Sequence, residues 1–262
     1  MKISLVISTY NWPEALEIVL LSVLKQSTTA DEIIIADDGS KIETKNLIKL
    51  YNDKHKLNLH HIWHHDIGFR KTKILNRAIC KAKGDYIIQI DGDIVLHKHF
   101  IKDHKKTAKK GYFIHGSRVF LNKRLTAKTL INNITKFSFF NIEITNRLNA
   151  IRITCLSKII SVRNKNLNGT RGCNFSFWKK DFLKVNGYNI NMKGWGKEDT
   201  ELSARLINSG LIKYKLKCKA VCYHLHHKKL SIEGLNINNE ILKKVIKNKI
   251  AVCNNGINKY EN

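Results

Sequence analysis

Proline is almost absent: Pro13 is the only one in 262 residues. That scarcity excludes a Pro-rich spacer or a disordered linker of the usual composition. Acidic residues are also few, 21 Asp and Glu against 47 Lys and Arg, which leaves a formal net charge of +26. No apolar run approaches the roughly 18 residues that a membrane-spanning helix needs. The six cysteines (Cys80, Cys155, Cys173, Cys218, Cys222 and Cys253) are scattered and form no dense disulfide framework. The first expected strand opens at Lys2, so no charged and apolar leader fits before it. These absences predict a cytoplasmic chain with free thiols.

The cationic excess attracts anions: nucleic acid, anionic lipid or phosphorylated substrates. It also has a plain compositional source. Lys, Ile and Asn are abundant throughout, as an A/T-rich coding sequence produces. Charge speaks to solubility and partners and selects no function alone.

What is present is a regular alternation. Residues 2–8, 32–36, 59–63 and 85–90 are short β-branched runs that read as strands. Between them lie helical stretches at 14–25, 42–53 and 70–83. Pro13 suits a first helical turn, and Gly84 closes the third helix. Ile74, Leu75, Ala78, Ile79 and Ala82 fall on one face of that helix. The order βαβαβαβ predicts an α/β fold with a mainly parallel, doubly wound sheet. Ligands of such sheets bind beyond the carboxyl ends of the strands. Residues 118–165 break the pattern. Glu143 is their only acid among many Lys and Arg, with Phe137, Phe139 and Phe140 interspersed. They read as a basic, largely helical insertion, either lying on an anionic membrane surface or packing over the site. Residues 172–178 and 220–224 then read as strands, and 198–209 and 238–249 as helices. The expected units are 1–117, 118–165, 166–235 and 236–262.

Five clusters carry chemistry. Asp91-Gly92-Asp93 follows a buried strand, and two carboxylates one residue apart can reach one hard divalent cation. Asp-Gly is equally a common turn. Asp37-Asp38-Gly39-Ser40 ends another strand, where a carboxylate can accept hydrogen bonds from a ribose or a base; it too is a turn-forming set. Gly68-Phe69-Arg70-Lys71-Thr72-Lys73 puts cations at a helix start, wrong for the helix dipole but right for gripping an anion. Gly194-Trp195-Gly196-Lys197-Glu198-Asp199 sets a tryptophan between glycines before two acids. It suits a sugar-stacking platform beside a general base. Tyr223-His224-Leu225-His226-His227 ends a late strand, where His224 and His226 share a face and either can complete a metal site begun at Asp93. A zinc site with Cys218 and Cys222 competes, but the C-x₃-C and H-x-H spacing is unusual for zinc.

Taken in order, Val6-Ile7-Ser8-Thr9-Tyr10-Asn11, Asp37-Asp38-Gly39-Ser40, the stretch from Gly68 to Ala78 and Asp91-Gly92-Asp93 resemble family 2 glycosyltransferases of the GT-A fold. Gly172-Cys173-Asn174-Phe175-Ser176-Phe177-Trp178, Asn186-Gly187-Tyr188 and the Gly194–Asp199 cluster are similar to a galactosyltransferase-type region, found also in chondroitin-polymerase-like enzymes. The resemblance covers most of the chain outside 118–165 and the tail. It implies a nucleotide-sugar-binding half at 1–117 and an acceptor half at 166–235. Thr9, Tyr10, Asp38, Arg70, Lys73, Asp91 and Trp195 would line the donor site. Asp93 and His224 would ligate Mn²⁺ or Mg²⁺, with Asp91 as a further candidate and His226 replacing His224 if the register slips. Asp199 would be the general base, and Glu198 would position a hydroxyl. The implied reaction is inverting transfer from a UDP-sugar to a glycan or lipid-linked acceptor of the cell envelope, at the inner face of the membrane. One departure stands out: Thr200 separates the Glu198-Asp199 pair from the next acid, Glu201.

Two other classes compete. A basic nucleic-acid-binding protein would need a recognition motif; none is seen, so no specific nucleic acid is expected. A nucleotidyltransferase could use Asp91 and Asp93 but would need a glycine-rich phosphate loop after the first strand, and Ser8-Thr9-Tyr10-Asn11-Trp12-Pro13 is not one.

Overall fold

A computed structural model describes residues 1–228 and 234–259. The predicted 166–235 and 236–262 units therefore include a few positions, 229–233 and 260–262, outside the described residues. The first half runs β1 (Ile3–Thr9), α1 (Pro13–Leu24), β2 (Glu32–Asp37), α2 (Ile42–His55), β3 (Leu59–Trp63), α3 (Lys71–Lys81) and β4 (Tyr86–Asp91). There follow β5 (Ile94–Leu96), α4 (Phe100–Thr107), β6 (Tyr112–His115), β7 (Val119–Leu121), α5 (Lys123–Asn132) and β8 (Ile144–Thr145). The chain continues with α6 (Thr154–Ile160), β9 (Val162–Asn164), β10 (Phe175–Trp178), α7 (Lys179–Lys184) and α8 (Glu198–Asn208). It closes with β11 (Ile212–Lys215), β12 (Cys222–His224) and α9 (Leu235–Lys247).

The main sheet has the order β3-β2-β1-β4-β10-β6-β11-β9. Its first four strands are parallel, as the alternating pattern predicts. Every residue of β1 and β2 is buried, because helices cover both faces. Side chains alternate accordingly: Ile3, Leu5 and Ile7 pack with Leu16 and Val19 of α1, while Val6 packs with Ile74 and Leu75 of α3. Register aligns the strand ends. Thr9 lies beside Asp37 and Ser8 beside Asp91, so three carboxyl termini open on one edge.

Beyond β4 the sheet becomes mixed. β10 runs antiparallel to both β4 and β6, and β11 returns parallel to β6. The predicted strand at 172–178 begins only at Phe175; Gly172–Asn174 is a 3₁₀ turn. A second sheet, β5-β12-β7-β8, stands beside the first. Two of the chain's crossings between the sheets are short. Asp91-Gly92-Asp93 joins β4 to β5, and Gly116-Ser117-Arg118 joins β6 to β7. Asn174 stitches the junction: its amide donates to Ser117 O at 2.8 Å and to Ala220 O at 2.9 Å.

Residues 118–165 differ from a largely helical insertion. They hold α5, α6 and a 3₁₀ turn at Arg147–Ala150, but also β7, β8 and β9. β7 and β8 join the second sheet and β9 forms an edge of the first. Strands of two or three residues carry too little periodicity to be read from sequence. Asn122 caps α5 by accepting the Leu125 N–H at 2.8 Å.

Candidate active site

The open edge beyond β1, β2 and β4 has three regions. In the first, Asp38 Oδ2 accepts the Arg70 N–H at 2.8 Å and Oδ1 lies 2.7 Å from His64 Nε2. Burial pushes the Asp38 carboxyl up, with the Arg70 N–H and His64 opposing. The neighbouring Asp37 is wholly buried and has a local task, accepting Ser40 N–H at 2.8 Å and meeting His61 Nε2 at 2.8 Å. Tyr10 donates to Asp66 Oδ2 at 2.7 Å while half its surface stays exposed (50%). Tyr10, Asp38 and Asp66 thus border a surface able to take a flat ring and its hydroxyls. Thr9 is buried against Gly92, where an added Cβ would sit 2.9 Å from Thr9 Oγ1 and 3.0 Å from Ser8 O. Only glycine permits this close passage.

The second region is a charge cluster around Lys71. Its ammonium lies 2.6 Å from Asp91 Oδ1, which also accepts from Ser8 Oγ at 2.9 Å. Burial works against the charges of both groups. For Lys71 the combined field of Asp91, Asp199 and Glu198 outweighs it and raises the pKa; for Asp91 the ammonium outweighs it and lowers the pKa. The resemblance implies Arg70 and Lys73 from this segment, whereas the residue that pairs with Asp91 is Lys71. Arg70 precedes α3, and its Nε donates to Ile67 O at 3.2 Å. Lys73 lines a small crevice with Phe69, Ile190 and Met192. The signal was available: Lys71 stands three and four residues before Ile74 and Leu75, on the stripe that faces the sheet.

Asp199, near the start of α8, is held on both oxygens. Gly172 N–H donates to Oδ2 at 2.7 Å and the Tyr188 hydroxyl lies 2.8 Å from Oδ1. That hydroxyl is also 3.0 Å from Gln89 Oε1 on β4. A Cβ on Gly172 would come 2.4 Å from Asp199 Oδ1, so the 3₁₀ turn before β10 exists where the chain must approach this carboxylate. Burial raises the Asp199 pKa and Lys71 pulls it back. Glu198 is pushed up to about 7, by burial first and then by Asp199. Its Oε2 accepts the Gly196 N–H at 3.0 Å. Trp195 is exposed (45%) between Gly194 and Gly196, whose φ angles are +71° and +108°. Asn238 of α9 tethers this loop by donating to Gly196 O at 2.9 Å and Lys193 O at 3.0 Å. Glu201 is no part of the edge: it is fully buried in a two-pronged pair with Arg205, at 2.9 and 2.7 Å. The departure at Thr200 therefore leaves the Glu198-Asp199 pair intact.

The third region contains Asp93, His224 and His227. Asp93 Oδ2 lies 3.5 Å from His224 Nε2 and 3.3 Å from His227 Nε2. Asp93 Oδ1 is buried with no hydrogen-bond partner among the described residues. Burial and then the Asp91 charge push Asp93 up to about 7; burial and then Arg118 push His224 down to about 3. One ligand atom from each residue lies within 4.8 Å of the others. A buried orphan carboxylate oxygen beside two imidazoles fits a divalent cation, and the mixed O,N,N set suits Mn²⁺ better than Mg²⁺. His226, expected as the alternative to His224, does not join this group; its N–H donates to Thr126 Oγ1 at 2.8 Å. His227 takes that place. Strand alternation favoured His226, but β12 ends at His224 and the period of two ends with it. Cys222 is buried and Cys218 half-buried, and neither shares the histidine cluster.

The glycosyl transferase family 2 profile matches residues 4–169, and a profile for the N-terminal domain of galactosyltransferase matches residues 160–228. The chain belongs to glycosyl transferase family 2. It is similar to the chondroitin synthase of Escherichia coli, 26% identical over 245 residues, covering 85% of this chain and 34% of that protein. A poly-beta-1,6-N-acetyl-D-glucosamine synthase of Staphylococcus epidermidis is 27% identical over 190 residues, covering 71% of this chain and 41% of that protein. The chain thus spans about a third of the first of these relatives and well under half of the second. Among solved structures, S. aureus TarS 1–349 in complex with UDP-GlcNAc superposes with a TM-score of 0.66 at 18% identity, over 99% of this chain and 69% of that one. GalNAc-T7 with UDP, GalNAc and Mn²⁺ gives 0.64 at 17% identity, over 87% and 44%. These likenesses establish the GT-A fold, with its mixed and mostly parallel sheet.

The histidine geometry has a direct test. In calorimetric Mn²⁺ titration, His227→Ala is expected to weaken binding about tenfold or more, the scale of losing even an outer-shell partner. His226→Ala is expected to leave binding unchanged. The reverse pattern would show that the chain after β12 sits one residue out of register.

Proposed function

We propose that this chain is an inverting glycosyltransferase moving a hexose or N-acetylhexosamine from a UDP-sugar to a hydroxyl of a cell-envelope glycan. One observation carries the reading: a carboxylate fixed on both oxygens, Asp199, lies in the field of the Lys71 ammonium that pairs with Asp91 at 2.6 Å, and Asp91 is two residues from Asp93 of the Asp93–His224–His227 group. A base and a diphosphate site then stand on one edge. The UDP-GlcNAc bound by TarS and the UDP and Mn²⁺ bound by GalNAc-T7 support the donor class and the metal. The chondroitin and poly-N-acetylglucosamine synthase relatives support a polysaccharide acceptor.

In this reading residues 1–117 bind the donor and 166–235 the acceptor. Tyr10 stacks on the base, Asp38 accepts from the nucleoside, and Trp195 covers the sugars. Asp93, His224 and His227 would hold Mn²⁺, which supplies charge neutralisation at the leaving diphosphate. Asp199 receives the acceptor hydroxyl proton, while Gly172 and Tyr188 hold the carboxylate so that one lone pair faces the acceptor. Glu198 orients a neighbouring hydroxyl. Residues 118–165 bring the enzyme to an anionic membrane carrying a lipid-linked acceptor. Support for that role comes from Ile131, Phe140, Ile142, Leu148 and Ile159, exposed among basic residues with Glu143 the only acid.

Asp199→Asn is expected to retain UDP affinity and lose about 10²–10⁴-fold in transfer rate, measured with radiolabelled donor. The base works ionised, so activity falls as pH drops through its raised pKa. Because Lys71 favours the ionised form, Lys71→Met should move that acid limb to higher pH; an unmoved limb would separate Lys71 from Asp199. For the membrane role, co-sedimentation should capture the protein on vesicles containing phosphatidylglycerol at low salt, and Phe140→Ser/Ile142→Ser should weaken capture. Equal capture by the double variant would remove that segment from the interface.

A further inference from the structure

We infer that Arg118 grips the terminal phosphate of the donor's diphosphate at the junction of the two sheets. The inference rests on the reading that the donor is a nucleoside-diphosphate sugar. Two other arginines show what this fold does with a guanidinium that serves structure. Arg205 meets Glu201 with two hydrogen bonds, and Arg152 meets Asp103 at 2.8 and 2.7 Å. Arg118 is treated differently. Among the described residues its Nε is buried with no hydrogen-bond partner, and its Nη1 meets only the Cys173 thiol, a weak acceptor, at 3.3 Å. Burial pushes that thiol up to about 11, so it stays neutral and offers no countercharge. The guanidinium lies over the Phe120 ring, 4.6 Å from the centroid, which fixes its plane. A partly buried cation with donors unused is costly unless an anion completes it.

The topology says where that anion sits. Arg118 lies on the crossing from β6 to β7, and Asp93 on the crossing from β4 to β5. β12 runs between β5 and β7, and its His224 pairs in register with Ile94 on one side and Phe120 on the other. The registers set the Arg118 backbone opposite Cys222 and that of Asp93 opposite Leu225; the Arg118 side chain covers the interval by lying over the Phe120 ring, whose centroid is 5.4 Å from that of His224. The crossing is rigid: Gly116 N–H donates to Asn174 O at 2.8 Å, and Asn174 binds Ser117 O. The carboxylates whose fields Arg118 feels are Asp91 and Asp93. An anion held by Arg118 thus contacts the cation side of the site, where the diphosphate belongs. The fork of a guanidinium matches phosphate oxygens. In the transfer, the bond from the anomeric carbon to the β-phosphate oxygen breaks and its electron pair stays on the diphosphate. The bond to the acceptor oxygen forms and that oxygen's proton passes to Asp199. Arg118 stabilises the charge that accumulates on the departing phosphate.

Calorimetry with UDP and UMP in the presence of Mn²⁺ tests this on the full chain. Arg118→Met should weaken UDP binding about 10- to 100-fold, the worth of a charge-assisted hydrogen bond, with UMP affected no more than about twofold. Arg118→Lys keeps the charge without the fork and should lose less for UDP, and in steady state should lower kcat with acceptor KM unchanged. UDP affinity equal to wild type in either variant overturns the inference. So does an equal loss for UMP and UDP, or a change confined to acceptor KM. Melting curves identify an Arg118→Met protein that fails to fold, and Arg118→Lys then decides. Wild-type protein that binds no UDP would instead overturn the donor reading itself.

Discussion

The Lys71 ammonium is the interaction on which the rest of the site depends. It pairs with Asp91 at 2.6 Å and its field reaches Asp199 and Glu198, in a partly buried space where three carboxylates alone could not all stay ionised. One cation on a helix start makes the gathering tolerable. It holds Asp91 ionised next to Ser8 and restrains the rise that burial imposes on Asp199. The cation thus connects the strand-end acids of the first half to the helix-start acids of the second.

The fold delivers these groups by register. Parallel pairing of β1 with β2 and β4 aligns Thr9, Asp37 and Asp91 at one edge. Antiparallel β10 then docks against β4, bringing Gly172 and Asn174 to the same edge by a route of opposite direction. The second sheet adds His224 through β12. The glycines at 92 and 172 stand where backbone passes too close to Thr9 and Asp199 for any side chain. Such positions tolerate no substitution without moving the acids they adjoin.

The first four strands and three helices were legible because each has its own local period, and their order restricts the topology. The strand-end acids were legible for the same reason: Asp38, Asp91 and Asp93 follow runs that must be buried. Three features were not. The antiparallel insertion of β10 depends on contacts across more than eighty residues, which no local pattern encodes. Strands β7, β8 and β9 are too short to show alternation, so 118–165 read as largely helical. His227 reaches Asp93 only because the chain leaves the strand at His224, and a period of two selected His226 in its place. Lys71 was readable from its helical phase, whereas the resemblance implied Arg70 and Lys73.

The central claim is that base, cation and donor diphosphate meet on this one edge. A crystal structure of the chain soaked with UDP and Mn²⁺, with anomalous data collected at the manganese edge, tests it most directly. The account predicts one anomalous peak bound by Asp93, His224 and His227, with the diphosphate between that peak and Arg118 and the uracil between Tyr10 and Asp38. A manganese peak away from Asp93, or UDP bound beyond reach of the β1, β2 and β4 termini, would contradict it.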